Sequence, residues 1–189
     1  LAWAAGDRLV FAAEFGGWLG LYGVGVEGGD AVRLTPERCE VEEAVFERER
    51  RNVLYTSNCG DSERRHIGRV AVAGGAPEAI TTGPTIEWSP QPIAGGGTAF
   101  LRSDARLPGA PFVLAVAGGQ PVRVAGTEPP PEFPAEALVE PQFATVRTSD
   151  SVDVRMQLFL PPHAGEGRHP AVIFFHGGSR RQMLVGWHY

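Results

Sequence analysis

The sequence lacks the features that would place it in a membrane or on a nucleic acid. No apolar run approaches the roughly 18–20 residues that a membrane-spanning helix needs, and the start at Leu1 is not that of a signal peptide. The formal net charge is −5 and the pI is about 5.6, which leaves no basic surface for nucleic acid. The sequence therefore predicts no nucleic-acid partner and no membrane segment.

Signals for helices and metal sites are also scarce. Before residue 130 no stretch shows sustained helical periodicity, and 25 Gly and 16 Pro among 189 residues indicate frequent turns. His66, His163 and His169 stand in polar loop sequence without the spacing of metal ligands. We therefore expect a mostly β protein with no metal and no cofactor.

A repeat of about 44–46 residues, the length of a four-stranded propeller blade, runs through residues 1–126. Each unit has an aromatic residue, a polar turn and an apolar strand, and it ends in a Gly-Gly hairpin turn between two strands. The aromatic residues that open the units and the Gly-Gly pairs that end them are Trp3, Phe46 and Trp88, and Gly28-Gly29, Gly74-Gly75 and Gly118-Gly119. Residues 1–126 are predicted to form about three blades of a larger β-propeller, which cannot close into a ring alone.

The composition changes after the third repeat. Residues 127–141 are rich in proline and predict an extended linker with one helical turn at residues 135–138. Residues 142–189 predict the start of a second domain, with a hairpin of two strands joined at Asp150-Ser151. Because the sequence starts with Leu1 and stops at Tyr189, soon after an apolar run, we expect it to be an internal piece of a longer protein.

An apolar run at residues 170–175 leads into His176-Gly177-Gly178. Such a run predicts a strand buried on both faces, and open α/β sheets place their chemistry at the carboxyl ends of such strands. In α/β-hydrolases a loop of this kind helps to form the oxyanion hole. A β-carbon at Gly177 or Gly178 is therefore expected to twist the loop and misplace its donors.

In this order, the blades, the hairpin and the strand that ends in His176-Gly177-Gly178 resemble the prolyl oligopeptidase family of serine peptidases. Within that family, residues 170–189 are similar to the bacterial dipeptidyl-peptidase IV-like branch, and a looser similarity lies in the second repeat. The positions that carry these two similarities are Gln182-Met183-Leu184 with Gly186-Trp187-His188-Tyr189, and Tyr55-Thr56-Ser57-Asn58 with Asp61 and Arg64-Arg65-His66. The sequence departs from the family where Ser179 replaces a common proline, and where only one repeat keeps Trp88-Ser89-Pro90.

The resemblance implies a serine peptidase that hydrolyses short peptides, in which residues 142–189 are the truncated start of an α/β-hydrolase catalytic domain and the propeller limits access to a Ser-Asp-His triad. No G-x-S-x-G motif occurs in the sequence, so the triad is expected beyond Tyr189 and this piece alone is expected to be inactive. Ser179 precedes the expected nucleophile position and is not a candidate.

Two alternatives stay open: a propeller binding module with an inactive hydrolase domain, and an esterase or acylaminoacyl peptidase on the same scaffold. The expected partner is a peptide substrate. The sequence does not fix the residue preference, the choice between exo- and endopeptidase, or whether the protein forms a homo-oligomer.

The two cysteines can be paired by strand register. If the strands at residues 41–47 and 53–57 form a hairpin that turns near Glu49, residues whose numbers add up to about 98 lie opposite each other. Cys39 and Cys59 meet this condition at near-disulfide distance, although two small buried thiols fit the sequence equally well. A disulfide would favour a periplasmic or secreted location over the cytoplasm.

Two further patterns are interpreted as ordinary strand features. Residues 23–28 match G-x-G-x-x-G, but the helix that would hold a pyrophosphate does not follow, so we expect a strand and a turn. Glu42-Glu43 invites comparison with the paired glutamates of dipeptidyl peptidases, but those relatives carry the pair in an earlier blade. We therefore expect a solvated strand edge there, with the two side chains on opposite faces.

Overall fold

The computed structural model describes residues 2–116, 118–162, 165, 167–178 and 182–188. Its regular structure is almost all antiparallel β, with three four-stranded sheets and one two-stranded hairpin. In each four-stranded sheet, the strands lie side by side in the order in which the chain forms them.

The three sheets correspond to the three sequence repeats. The first sheet contains β1 (Ala2–Ala4), β2 (Arg8–Phe15), β3 (Trp18–Gly25) and β4 (Gly28–Arg33). The second contains β5 (Val41–Phe46), β6 (Asn52–Ser57), β7 (His66–Ala71) and β8 (Glu78–Ala79). The third contains β9 (Ile86–Pro92), β10 (Thr98–Ser103), β11 (Ala110–Leu114) and β12 (Val122–Arg123).

The Gly-Gly pairs lie where the third strand of each sheet turns back into the fourth. Gly28, Gly29, Gly74, Gly75 and Gly118 all have positive φ angles, between 73° and 121°. Side chains with a β-carbon rarely adopt this conformation, so glycine at these turns lets the fourth strand return against the third.

The second sheet is packed on both faces, and β6 shows why. Val53 and Tyr55 belong to a buried cluster that includes Val10 of the first sheet. Leu54, between them, belongs to a second cluster with Phe100 of the third sheet. Because successive side chains of a strand point to opposite faces, β6 must be apolar at consecutive positions rather than at alternate ones.

The chain then passes through residues 124–141, which include a 3₁₀ turn at Ala135–Ala137, where the sequence predicted a helical turn. The hairpin follows, with β13 (Gln142–Arg147) opposite β14 (Asp153–Leu158). Its turn includes Ser151, whose φ angle is 67°. Within the described residues, no helix is long and apolar enough to cross a membrane.

The predicted buried strand at residues 170–175 is wrong for this structure. Residues 168–178 have no regular secondary structure, and the side chains from Val172 to Phe175 are 78–95% exposed. A strand needs a neighbour that pairs with its backbone N–H and C=O groups, and no strand of the described residues lies beside this run. The hairpin is therefore the only β structure that the described part of residues 142–189 contains.

Candidate functional site

The three residues of the predicted oxyanion loop lie together on the surface. His176, Gly177 and Gly178 are exposed, and the His176 Nδ1 atom lies 3.3 Å from the Gly177 carbonyl oxygen. Within the described residues, no backbone N–H group of this loop donates a hydrogen bond. These backbone donors therefore have no partner within the described part of the chain.

The two glycines of the loop differ in their backbone requirements. Gly178 has a φ angle of 87°, a region that favours glycine. Gly177 lies outside that region, and a β-carbon on it would meet no heavy atom within 4 Å. The expectation that a β-carbon at Gly177 distorts the loop is therefore wrong, because only Gly178 has a backbone conformation that requires glycine.

Residues 182–188, which we call the docking segment, pack against loops of the second and third sheets. Leu184 and Val185 are buried. The Val185 N–H group donates to the Glu63 carbonyl oxygen at 3.1 Å, and the Trp187 N–H group donates to the Asp104 carbonyl oxygen at 3.1 Å. The sequence marked this segment only through its resemblance to a peptidase branch and did not predict this contact.

Gly186 allows the docking segment to approach the third sheet closely. Its φ angle is 148°, and a β-carbon there would lie 2.9 Å from the backbone of Asp104. Ring contacts extend the interface on either side. The Trp88 and His188 ring centroids are 5.2 Å apart, and the Phe133 and Trp187 centroids are 6.1 Å apart.

Arg65 connects the docking segment to the second sheet. It is only 4% exposed, and its guanidinium donates to Glu42 Oε1 at 2.7 Å and to Gln182 Oε1 at 3.1 Å. Gln182 in turn donates through Nε2 to the Ser62 carbonyl oxygen at 2.7 Å. A buried guanidinium needs such acceptors because an unpaired buried charge is strongly destabilising.

The hairpin contacts the same loop of the second sheet. Arg155 on β14 donates to the Ser62 hydroxyl at 2.7 Å and pairs with the Glu63 carboxylate. Gln157, also on β14, donates to the Met183 carbonyl oxygen at 2.8 Å. The 61–65 loop therefore holds both the hairpin and the docking segment.

A second polar cluster lies between the second and third sheets, around Glu87. This carboxylate is fully buried, and it lies 2.8 Å from His66 Nδ1 and 3.2 Å from Arg102 Nε. The Thr85 hydroxyl donates to it as well. The placement of His66 in a polar loop is therefore wrong, because His66 is the first residue of β7 and pairs across the sheet boundary.

The structure contains the Cys39–Cys59 disulfide, with the two Cα atoms 4.9 Å apart. Cys39 precedes β5 and Cys59 follows β6, so the bond closes the open end of this hairpin. It also fixes the start of the loop that carries Asp61, Arg64 and Arg65.

Glu42 and Glu43 are both exposed, as predicted for a solvated strand edge, but each of them also has a partner in another part of the fold. Glu42 lies at a β-bulge of β5 and pairs with Arg65. Glu43 accepts a 2.7 Å hydrogen bond from the Ser89 N–H group of the third sheet. Both carboxylates therefore make contacts between elements, which sequence alternation did not reveal.

Charge pairing also organises the turn before Arg65. Asp61 accepts hydrogen bonds from the Glu63 N–H group at 2.9 Å and from the Arg64 guanidinium at 3.1 Å. Partial burial opposes ionisation of Asp61, but these hydrogen bonds and the nearby Arg64 and His66 side chains favour it, and together they hold the pKa of Asp61 below its ordinary value.

Two small open pockets lie among the described residues. One, of about 160 Å³, lies beside the disulfide and is lined by Tyr55, Ser57, Cys59 and His66 among others. Burial raises the pKa of the Tyr55 phenol. The other, of about 310 Å³, lies between the 104–107 loop and the linker. The usual range for ligand pockets is roughly 300–1,000 Å³, so the first pocket is below it and the second is at its low end.

Metal ligands do not cluster in the part of the chain that the structure describes, where no three His, Cys, Asp or Glu residues could hold an ion. His169 Nε2 lies 2.8 Å from the Gly165 carbonyl oxygen. His163, which the sequence excluded as a metal ligand, and Ser179, which it excluded as a nucleophile, lie outside the described residues.

The comparisons with known proteins concern the fold. No protein-family model matches the chain, and no curated protein matches its sequence. A solved structure of a protein provisionally assigned as TolB, from Agrobacterium tumefaciens, is similar to 64% of this chain, with a TM-score of 0.51 and 19% identity. The chain spans 46% of that structure. The likeness indicates a propeller-like arrangement of the antiparallel sheets.

Proposed function

We propose that this chain is part of a serine peptidase of the prolyl oligopeptidase family that hydrolyses short peptides. The observation that supports this most is the short stretch of chain between the glycine loop and the docking segment, which is hydrogen-bonded to the second and third sheets. Gln182, on the docking segment, follows Gly178 by four residues, and four residues span at most about 14 Å. The loop with its free N–H donors therefore stays close to the 61–65 loop.

In this proposal the loop stabilises charge and supplies no nucleophile. A serine in the longer protein attacks the peptide carbonyl, activated by a histidine that an aspartate orients. Negative charge then develops on the carbonyl oxygen, and N–H donors of residues 176–178 stabilise it. The propeller-like sheets lie beside this site and limit access to short peptides.

The disulfide supports a location outside the cytoplasm. Disulfides persist in oxidising compartments and are rare where thiols are kept reduced. Together with the Cys39–Cys59 bond, this favours a periplasmic or secreted peptidase over a cytoplasmic one.

A propeller binding module without hydrolase activity is the second candidate. The observation that favours it is that only the sheets have a buried core. The three sheets share two buried clusters, but the apolar run from Val172 to Phe175 is exposed. In this alternative the sheets bind a partner and the hydrolase domain that follows them is inactive.

An active-site label separates the two candidates. We expect a fluorophosphonate probe to label one serine of the full-length protein, and to leave the 189-residue chain unlabelled as the matched control. The labelled protein should also cleave chromogenic dipeptide and tripeptide substrates, in a panel that includes ester and N-acyl substrates. A full-length protein that is folded but neither labelled nor active would contradict the peptidase and favour the binding module.

A further inference from the structure

Arg65 is placed to hold two elements that are far apart in sequence. Its guanidinium contacts Glu42 on β5 and Gln182 in the docking segment, and it also donates to the Arg64 carbonyl oxygen at 2.9 Å. The Arg65 carbonyl oxygen accepts the Glu87 N–H group at 2.9 Å. One buried residue therefore links the second sheet, the third sheet and the docking segment.

The contacts of the docking segment are directional as well as apolar. Two backbone N–H groups, those of Val185 and Trp187, donate to carbonyl oxygens of loops from different sheets. Gln182 both accepts from Arg65 and donates to Ser62. Such a set of hydrogen bonds fixes the orientation of the segment, whereas burial of Leu184 and Val185 alone would allow it to slide.

We infer that Arg65 is a positioning residue for the loop of His176, Gly177 and Gly178, and that it acts through Gln182 and the docking segment. This inference rests on the proposed function, because the loop matters for rate only if it binds the reacting carbonyl. The loop has no regular secondary structure of its own. The run before it is exposed, and the first described contacts after it are those of Gln182, four residues beyond Gly178.

The expected effect is on rate rather than on binding. Donors of an oxyanion site act on charge that appears only as the carbonyl is attacked, and a displacement of about 1 Å in a catalytic group can reduce the rate about 100-fold. A loop that is held less firmly should therefore lower kcat while KM changes little.

The test uses the full-length protein with three variants. Arg65→Met removes the anchor from the sheet side, and Gln182→Ala removes it from the segment side. Arg69→Met is the matched control, because Arg69 lies on the same sheet and its Nε atom is 2.7 Å from Glu47 Oε1, away from the docking segment. Hydrogen exchange at the Val185 and Trp187 amides reports docking, and steady-state kinetics on a peptide reports positioning.

We expect Arg65→Met and Gln182→Ala to accelerate exchange at both amides about tenfold or more, and to lower kcat about tenfold with KM within about twofold. Arg69→Met should leave both readouts near wild type. If Arg65→Met does not fold, Gln182→Ala decides the outcome, because Gln182 is only partly buried.

The two readouts separate the ways in which the inference can fail. If the Arg65 and Gln182 variants fold and their amides exchange at the wild-type rate, these two residues do not hold the docking segment in place. Faster exchange with unchanged kcat would overturn the positioning role. A wild-type protein that hydrolyses no substrate of the panel would overturn the proposed function, and with it the role of Arg65 in rate, while the exchange data would still test the anchor.

Discussion

Gly177 and Gly178 are neighbours whose backbones tolerate different side chains. Gly178 has a positive φ angle, and a β-branched residue in that region is a strained outlier. Gly177 has open space around it. The pair therefore provides an internal comparison for the function of the loop.

We expect Gly178→Val in the full-length protein to lower kcat about 10²–10³-fold with a smaller change in KM, because the loss of one oxyanion donor has this effect. Gly177→Ala should change kcat much less. Steady-state kinetics on a peptide substrate measures both. Equal, wild-type kcat values in the two folded variants would show that the loop is only a turn.

Asp61 predicts a pH dependence of stability. Its pKa is lowered in the folded protein, so its ionised form stabilises the fold fully above the unfolded pKa of about 3.9. That contribution is lost as the pH falls through the lower, folded pKa. Asp61→Asn should therefore be less stable than wild type at pH 7.

We expect the difference between wild type and Asp61→Asn to shrink as the pH falls below about 4. Urea unfolding of both proteins between pH 7 and about pH 2.5 checks this. Because Asp61 is partly exposed, added salt should also reduce the difference. If the difference in the free energy of unfolding stays constant from pH 7 to about pH 2.5, the lowered pKa of Asp61 is contradicted.

At the scale of elements, the bulge in β5 decides which residues face the cysteines. Phe46 lies opposite Val53, and Val41 lies opposite Ser57, so the sum of paired residue numbers changes from 99 to 98 across the bulge. Without it, Cys39 would face Gly60. The sum of about 98 predicted the correct pair only because the bulge at Glu42 adds one residue to β5.

The disulfide should stabilise the second sheet by restricting the unfolded chain. Its cysteines are 20 residues apart, and closure of a loop of this length contributes about 3 kcal/mol. We expect the double variant Cys39→Ser/Cys59→Ser to lose about this amount in urea unfolding. Wild-type protein unfolded in reductant should lose a similar amount, and a loss below about 0.5 kcal/mol in both would contradict the prediction.

For the whole molecule, the Glu87 cluster ties the second and third sheets into one unit. Removal of one partner of a buried charge network typically costs 3–5 kcal/mol, since the remaining charges lose their compensation. Glu87→Ala should therefore be destabilised by about this amount in urea unfolding. Glu78→Ala is the control, because Glu78 is 48% exposed and 3.6 Å from Arg69.

The Glu78 control should change the free energy of unfolding by at most about 1 kcal/mol, as exposed pairs do. Fluorescence and circular dichroism should follow the same unfolding curve in the wild type if the sheets unfold together. Similar losses in the two variants would show that Glu87 does not connect the sheets.

The sequence predicted the features that depend on neighbouring residues. Alternation and Gly-Gly turns located the three sheets, and Asp150-Ser151 located the turn of the hairpin. The apolar run at residues 170–175 predicted a strand, but strand formation depends on a neighbour that a local pattern cannot supply. Arg65 and Gln182 form a contact across 117 residues, and no periodicity marks such a pair.

That separation has a consequence for the order in which the protein forms during translation. Each four-stranded sheet is built from consecutive strands, whereas Gln182 is made 117 residues after Arg65. At about 5–20 residues per second, a ribosome needs roughly 6–23 s to cover this distance. For that time the Glu63 and Asp104 carbonyl oxygens, which later accept the Val185 and Trp187 N–H groups, remain open to water in the nascent chain.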